Sequence, residues 1–197
     1  MAELQGRMRL FVALPLQAGA ELRQWQTQLR QCGNCLRVTP EAQLHLTLKF
    51  LGETTPSEAD RWRELVQQVN SPASWPESFS LQGLGVFPRP QRPQVIWVGL
   101  TPAEPLQELA ACCERFAQQQ GRPPEQRKFQ PHITLARVRH APSARLSALL
   151  EQLRTAHAGS WQPAELVLMQ SLLSPGGATY RALQTVTLRP PPTAPAT

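Results

Sequence analysis

The chain has 197 residues, 41% of them apolar, with 20 Lys and Arg against 14 Asp and Glu, a net charge of +6 and a pI near 9.9. That length suits one domain or two small lobes sharing a core, and no run of 18 apolar residues is present to cross a membrane as a helix. Lysine occurs only at 49 and 128, so nearly all the cations are guanidinium groups, which grip phosphate in two-pronged fashion; the charge favours an anionic partner, although a solvated Arg-rich surface would look the same.

Residues 8–14 (MRLFVAL) read as a strand closed by Pro15. The apolar run at 10–16 is short and broken by that proline, unlike a signal peptide, so a cytoplasmic location with reduced cysteines is expected. Residues 18–31 carry Leu22, Trp25 and Leu29 at helical spacing. Residues 43–53 (QLHLTLKFLGE) alternate: Leu44, Leu46, Leu48 and Phe50 on one face, His45, Thr47 and Lys49 on the other. This is the pattern of a half-buried strand. Ser57, with Asp60 three residues on, opens a helix whose apolar face is Trp62, Leu65, Val66 and Val69. A strand at 79–86, a stiff arginine-bearing turn at 88–93 (PRPQRP) and a strand at 94–100 follow. Next come a helix at 105–120, with Leu106, Leu109 and Phe116 inside, and a basic loop at 121–128.

Residues 128–138 (KFQPHITLARV) then repeat the earlier arrangement, with Ile133 and Leu135 inward and His132 and Thr134 outward. A helix spans 142–157 from a Ser143 start, and strands at 164–173 and 179–188 flank the Pro175-Gly176-Gly177 turn. Residues 189–197 (RPPPTAPAT) have no core-forming residue and read as a disordered tail, leaving a single bilobal domain at 1–188. Phe11 precedes His45 by 34 residues, as Val98 precedes His132. An internal duplication of strand, helix and His-bearing strand therefore predicts a cleft between two antiparallel sheets, one His from each.

His-x-Thr is a weak motif alone. Here two of four histidines occur in it, each on an alternating strand, which is far more specific. Two strand histidines beside β-favouring threonines remain the bland alternative. Facing imidazoles can serve as general acid and general base near neutral pH, and each Thr hydroxyl can donate to an anionic oxygen between them. His140 and His157 lack such a setting and read as surface residues, His157 at a helix end. Cys32-Gly33-Asn34-Cys35 falls where a helix ends rather than begins, and Cys112-Cys113 are adjacent, so neither redox nor zinc chemistry fits the cysteines; Cys112 and Cys113 belong to a helix, with one facing the core.

In HLTLKFLGE and PHITLAR, with RLFVALPL near the start, the chain resembles the 2H phosphoesterases, and within them the bacterial RNA 2′,3′-cyclic phosphodiesterases, also called 2′-5′ RNA ligases. GVFPRPQRPQVIWVGL and LLSPGGATYRALQTV agree, so the likeness spans about residues 8–188. It implies an α+β, duplicated bilobal fold, with two antiparallel sheets facing a central cleft and helices outside. It also implies a metal-independent and cofactor-free enzyme that opens a 2′,3′-cyclic phosphate on an RNA 3′ terminus to a 2′-phosphate, with weak 2′-5′ ligation in reverse. By the same resemblance His45 is the proton donor and His132 the proton acceptor, Thr47 and Thr134 hold the non-bridging oxygens, and Phe11 and Arg137 sandwich the terminal base. Arg137 has the opposite parity to His132, so a twist or bulge must turn it into the cleft; Phe11 has core packing as its alternative role. Lys49, on the face of His45, either adds positive potential or is merely solvated. The expected partner is RNA, with no membrane association, and the expected state is a monomer. The rivals are an RNA-end binder without turnover, and the same chemistry on a cyclic nucleotide, an ADP-ribose cyclic phosphate or a 2′-5′ oligoadenylate.

Overall fold

The structure, a computed structural model, describes residues 6–69, 71–175 and 177–188; the expected tail at 189–197 lies outside them. In chain order the elements are β1 (Met8–Pro15), α1 (Ala20–Arg30), β2 (Leu36–Val38), a 3₁₀ turn (Glu41–Gln43), β3 (His45–Thr54), α2 (Pro56–Gln68), β4 (Phe79–Arg89), β5 (Arg92–Thr101), α3 (Glu104–Gln119), β6 (His132–Val138), α4 (Ala144–Gln152), β7 (His157–Trp161), β8 (Glu165–Ser174) and β9 (Gly177–Thr187). The fold is α+β, as the resemblance implied. Among the described residues no helix is long and apolar enough to cross a membrane.

All strand pairs are antiparallel, in the order β7-β4-β5-β6-β3-β1-β8-β9, with β2 added on β6. The two expected sheets are joined into one nine-stranded sheet, whose halves are β9-β8-β1-β3 and β6-β5-β4-β7. They touch where β3 meets β6, through the pair Leu46↔Ile133. The halves are interlaced. Helix α1, which connects β1 to the β2–β3 segment, packs on β7 and β2 of the second half, while α3, which connects β5 to β6, packs on β3 of the first. Leu22, Trp25 and Leu29 of α1, and Leu106, Leu109 and Cys113 of α3, are the buried faces that make these crossings worthwhile.

Three local expectations change. Helix α2 begins two residues earlier than the Ser57 reading: Thr55 is its cap, accepting from the Glu58 N–H while the Glu58 carboxylate accepts from the Thr55 N–H. Pro56 occupies the first helical position, where its missing N–H costs nothing. Helix α4 ends at Gln152, and His157 opens β7 instead of closing a helix. Its Nδ1 accepts from the Gly159 N–H.

The third change is in β3. Val12 pairs with Lys49 and Ala13 with Thr47, so Leu48 is the extra residue of a bulge. The parity reverses there. Lys49 turns to the helix side, where its Nζ lies 2.6 Å from the Glu114 carboxylate of α3, and Phe50 turns out to be 70% exposed. Lys49 therefore does not share the face of His45, and Phe50 is not a core residue. A matching bulge lies in β6, where Ile96 pairs with Ala136 and Trp97 with Thr134, leaving Leu135 as the extra residue. Leu135 and Ala136 are both buried and Arg137 emerges on the face of His132 and Thr134. The bulge that Arg137 required is thus present, and it falls at the same distance from the histidine in both strands.

Candidate active site

The Leu46↔Ile133 pair fixes the centre of the site, because His45 and His132 each stand immediately before one of its members. Antiparallel geometry directs His45 toward Thr134 and Thr47 toward His132 across the junction. Side chains alternate across a strand, so Leu46, Leu48, Ile133 and Leu135 are buried while the His and Thr side chains open on the other face. That face is one cleft of about 570 Å³, within the range of ligand pockets. It is lined by all six residues the resemblance singled out: Phe11, His45, Thr47, His132, Thr134 and Arg137.

The imidazoles are held alike. His45 Nδ1 lies 2.7 Å from the Gln43 carbonyl oxygen and His132 Nδ1 lies 2.7 Å from the Gln130 carbonyl oxygen. A carbonyl only accepts, so each Nδ1 carries the proton and each Nε2 is left for the cleft. Burial pushes both rings below the usual imidazole range; the carbonyl acceptors pull the other way, and for His45 the charge of His132 lowers it further. Each imidazole also packs against two aromatic rings that touch one another. Phe11 and Tyr180 lie at 5.1 and 5.2 Å from His45, and Phe87 and Trp97 at 5.0 and 6.1 Å from His132. Trp97 lies over Gly85, where any Cβ would overlap the indole. Among the described residues, neither the Thr47 nor the Thr134 hydroxyl has a protein hydrogen-bond partner, so both are available to a ligand.

Phe11 is in the cleft wall but only 3% exposed, packed by His45, Phe50 and Tyr180. It presents at most an edge to a ligand, whereas Phe50 offers an open face. The lining includes Arg9, Arg37 and Arg137 and, among the described residues, no carboxylate. Arg9 pairs with Glu53 at 3.6 Å. Sequence reasoning missed Arg37, Phe50, Tyr180 and Phe87. Tyr180 is the single tyrosine of the chain and lies inside the LLSPGGATYRALQTV run, as Phe50 lies in HLTLKFLGE and Phe87 in GVFPRPQRPQVIWVGL; Arg37 lies in none of these runs.

The four cysteines are free thiols. Cys113 is buried in α3 and its thiol is pushed up to about 12 by burial, while burial and then Cys35 raise Cys32. Among the described residues no group of three or more His, Cys, Asp or Glu could hold a metal ion.

The family profile of the 2′-5′ RNA ligase superfamily matches residues 10–174. The RNA 2′,3′-cyclic phosphodiesterase of Thermus thermophilus is 35% identical over 190 residues, 92% of this chain and 91% of that protein. A crystal structure of a Thermus thermophilus protein superposes with a TM-score of 0.76 at 29% identity, covering 93% of this chain and 99% of that one. Escherichia coli LigT complexed with 3′-AMP superposes with a TM-score of 0.69 at 26% identity, covering 92% of this chain and 98% of that one. With the profile spanning most of the fold and both His-x-Thr strands, the chain belongs to the 2′-5′ RNA ligase superfamily.

Proposed function

We propose that the protein is an RNA 2′,3′-cyclic phosphodiesterase that hydrolyses terminal cyclic phosphates to 2′-phosphates. One observation carries this reading: two His-x-Thr units line one cleft with three arginines and, among the described residues, no carboxylate, and each His Nδ1 is held by a backbone carbonyl, which leaves Nε2 for proton transfer. The names and structures of its relatives agree with it. Water attacks phosphorus opposite O3′. His132 enters neutral and takes the water proton on Nε2, while His45 enters as imidazolium and gives its Nε2 proton to O3′ as the P–O3′ bond breaks. The products are a 2′-phosphate and a 3′-hydroxyl, and the two rings end with exchanged protonation states. Thr47 and Thr134 donate to the non-bridging oxygens, where charge builds up in the transition state.

Near two-fold symmetry at the junction does not distinguish the two rings; the acid role of His45 follows the family pattern. Arg137 and Phe50 frame the terminal base, with Phe11 behind them, since aromatic and guanidinium planes stack on any base. With a 5′-hydroxyl as nucleophile the reverse reaction forms a 2′-5′ linkage.

The test is incubation with a short RNA ending in a 2′,3′-cyclic phosphate, with the product phosphate located by phosphorus NMR. A 2′-phosphate supports the reading and a 3′-phosphate overturns the assigned bond cleavage. Tight binding without turnover would make the chain an RNA-end binder.

A further inference from the structure

Arg37 stands out among the cleft residues that the reaction does not use. It lies on β2, the three-residue strand added to β6, and its Cα partner there is Arg137. Cross-strand partners project to the same side of a sheet, and both arginines line the cleft that holds the two histidines. Like charges placed directly opposite are unfavourable, and an anion beside them relieves the repulsion.

The guanidinium is also held in place. It lies against the tip of the β8–β9 hairpin, where a Cβ on Gly177 would overlap it, and the backbone there has a φ of 118°, which favours glycine. Arg37 therefore reaches from β2 in one half of the molecule to the hairpin of the other, along a wall of the cleft that both line. Fixing a guanidinium before the ligand arrives reduces the ordering cost of binding.

The charge exceeds what one terminal cyclic phosphate needs. That group is a monoanion, yet Arg9, Arg37 and Arg137 all line the cleft, with no carboxylate among its described lining residues. Arg137 lies beside the terminal nucleotide in the reaction scheme, and Arg37 places a second charge next to it, where β2 meets the tip of the β8–β9 hairpin. An RNA chain leaving the terminal nucleotide must bring a further phosphodiester past the neighbouring wall of the cleft.

We propose that Arg37 binds the phosphodiester immediately preceding the terminal nucleotide, and so makes the cleft prefer an RNA of two or more nucleotides over a mononucleoside cyclic phosphate. The proposal rests on the phosphodiesterase reading of the same site.

The test compares kcat/KM for adenosine 2′,3′-cyclic phosphate with that for the dinucleotide ApA ending in a 2′,3′-cyclic phosphate, in the wild-type protein and in Arg37→Gln. The dinucleotide preference of the wild type should fall about 10- to 100-fold in the variant, the range for losing a charge-assisted hydrogen bond. The log–log salt slope for dinucleotide binding should become shallower by about 0.7, the value for one single-strand phosphate. Arg37→Lys should recover most of the slope, because the charge returns. A dinucleotide whose internal phosphodiester is replaced by an uncharged methylphosphonate should lose the preference on the unaltered enzyme, which keeps the test decisive if the variants fold poorly. An unchanged preference in Arg37→Gln, an equal loss on both substrates, or full preference for the methylphosphonate would each overturn the proposal. If the wild type hydrolyses neither substrate, the phosphodiesterase reading falls and this one with it; hydrolysis of both with no Arg37-dependent preference sinks this one alone.

Discussion

Replacing Glu114 with glutamine should destabilise the protein by about 2 kcal/mol at neutral pH. Glu114 sits on α3 at the crossing onto β3 and collects three donors: Lys49 Nζ at 2.6 Å, Gln118 Nε2 at 3.0 Å and the Glu125 N–H at 2.9 Å. Burial alone would raise its carboxyl, but the donors outweigh that and hold it at about 2, against an ordinary 4.5. At 1.36 kcal/mol per pH unit the drop is worth about 3 kcal/mol. Side-chain exposures of 12% for Lys49 and 23% for Glu114 let some solvent in, which trims the figure to about 2. That corresponds to a fall in Tm of about 4–8 °C for a chain of this size.

The sign of the pH dependence follows. A carboxyl depressed by folding stabilises the protein above its unfolded value, so the contribution is present above pH 4.5 and lost as pH falls through about 2. Urea midpoints of both proteins at pH 7 and near pH 3 measure this, and the gap should narrow on acidification. Adding Lys49→Met should recover part of the loss, because the double variant no longer buries an unpaired ammonium. Because Lys49 also anchors the bulge that turns Phe50 outward, the glutamine variant should raise KM for RNA more than it lowers kcat. A loss under about 0.5 kcal/mol, the usual spread for surface substitutions, or a gap indifferent to acid would refute the reasoning.

His45→Ala and His132→Ala should each lower kcat by about 10²–10⁴, with the double variant little worse than the worse single, since groups acting as a unit are not additive. Near wild-type turnover in either folded single variant would end the two-histidine scheme, while Thr47→Val and Thr134→Val should cost less than either. The rate against pH should be bell-shaped, and because both free imidazoles are held below 6.5, the alkaline limb of kcat/KM should begin below that value. The limb of kcat should lie at higher pH, since the bound anion favours imidazolium; coincident limbs would contradict this. Depressed histidines stabilise the fold above pH 6.5 and withdraw that stability as pH falls through their folded values, so denaturation midpoints should drop below pH 6.5 and drop less in His45→Ala. Because imidazoles move both protons in this scheme, EDTA should leave turnover unchanged, and a loss that zinc or manganese restores would contradict it.

Alternation made both histidine strands legible, because a core on one face and a cleft on the other impose a two-residue period. The same rule failed beyond Leu48 and Leu135. A bulge inserts one residue without altering composition, so extrapolated parity put Lys49 and Phe50 on the wrong faces and left Arg137 needing a turn that local residues do not announce. Strand β2 has three residues and exists only because β6 pairs with it. Arg37 could not be recognised as a cleft residue without that pairing. Strand β7 (HAGSW) lacks any alternation that would separate it from the preceding helix. Which sheet each helix covers is set by distant partners, and the crossings of α1 and α3 leave no local trace.

The interlacing bears on how the molecule comes off the ribosome. Chains emerge from the N-terminus at about 5–20 residues per second. Strands β1 and β3 are therefore made early, but the outer edge of β1 stays unpaired until β8 arrives, and the ring of Tyr180 reaches His45 only with β9. The second half draws α1 and β2 from the first third of the chain, so its helical cover is waiting before its strands are made. Both His-x-Thr strands are therefore made before β8 and β9, and the Tyr180 wall of the cleft is the last part of the site to be added.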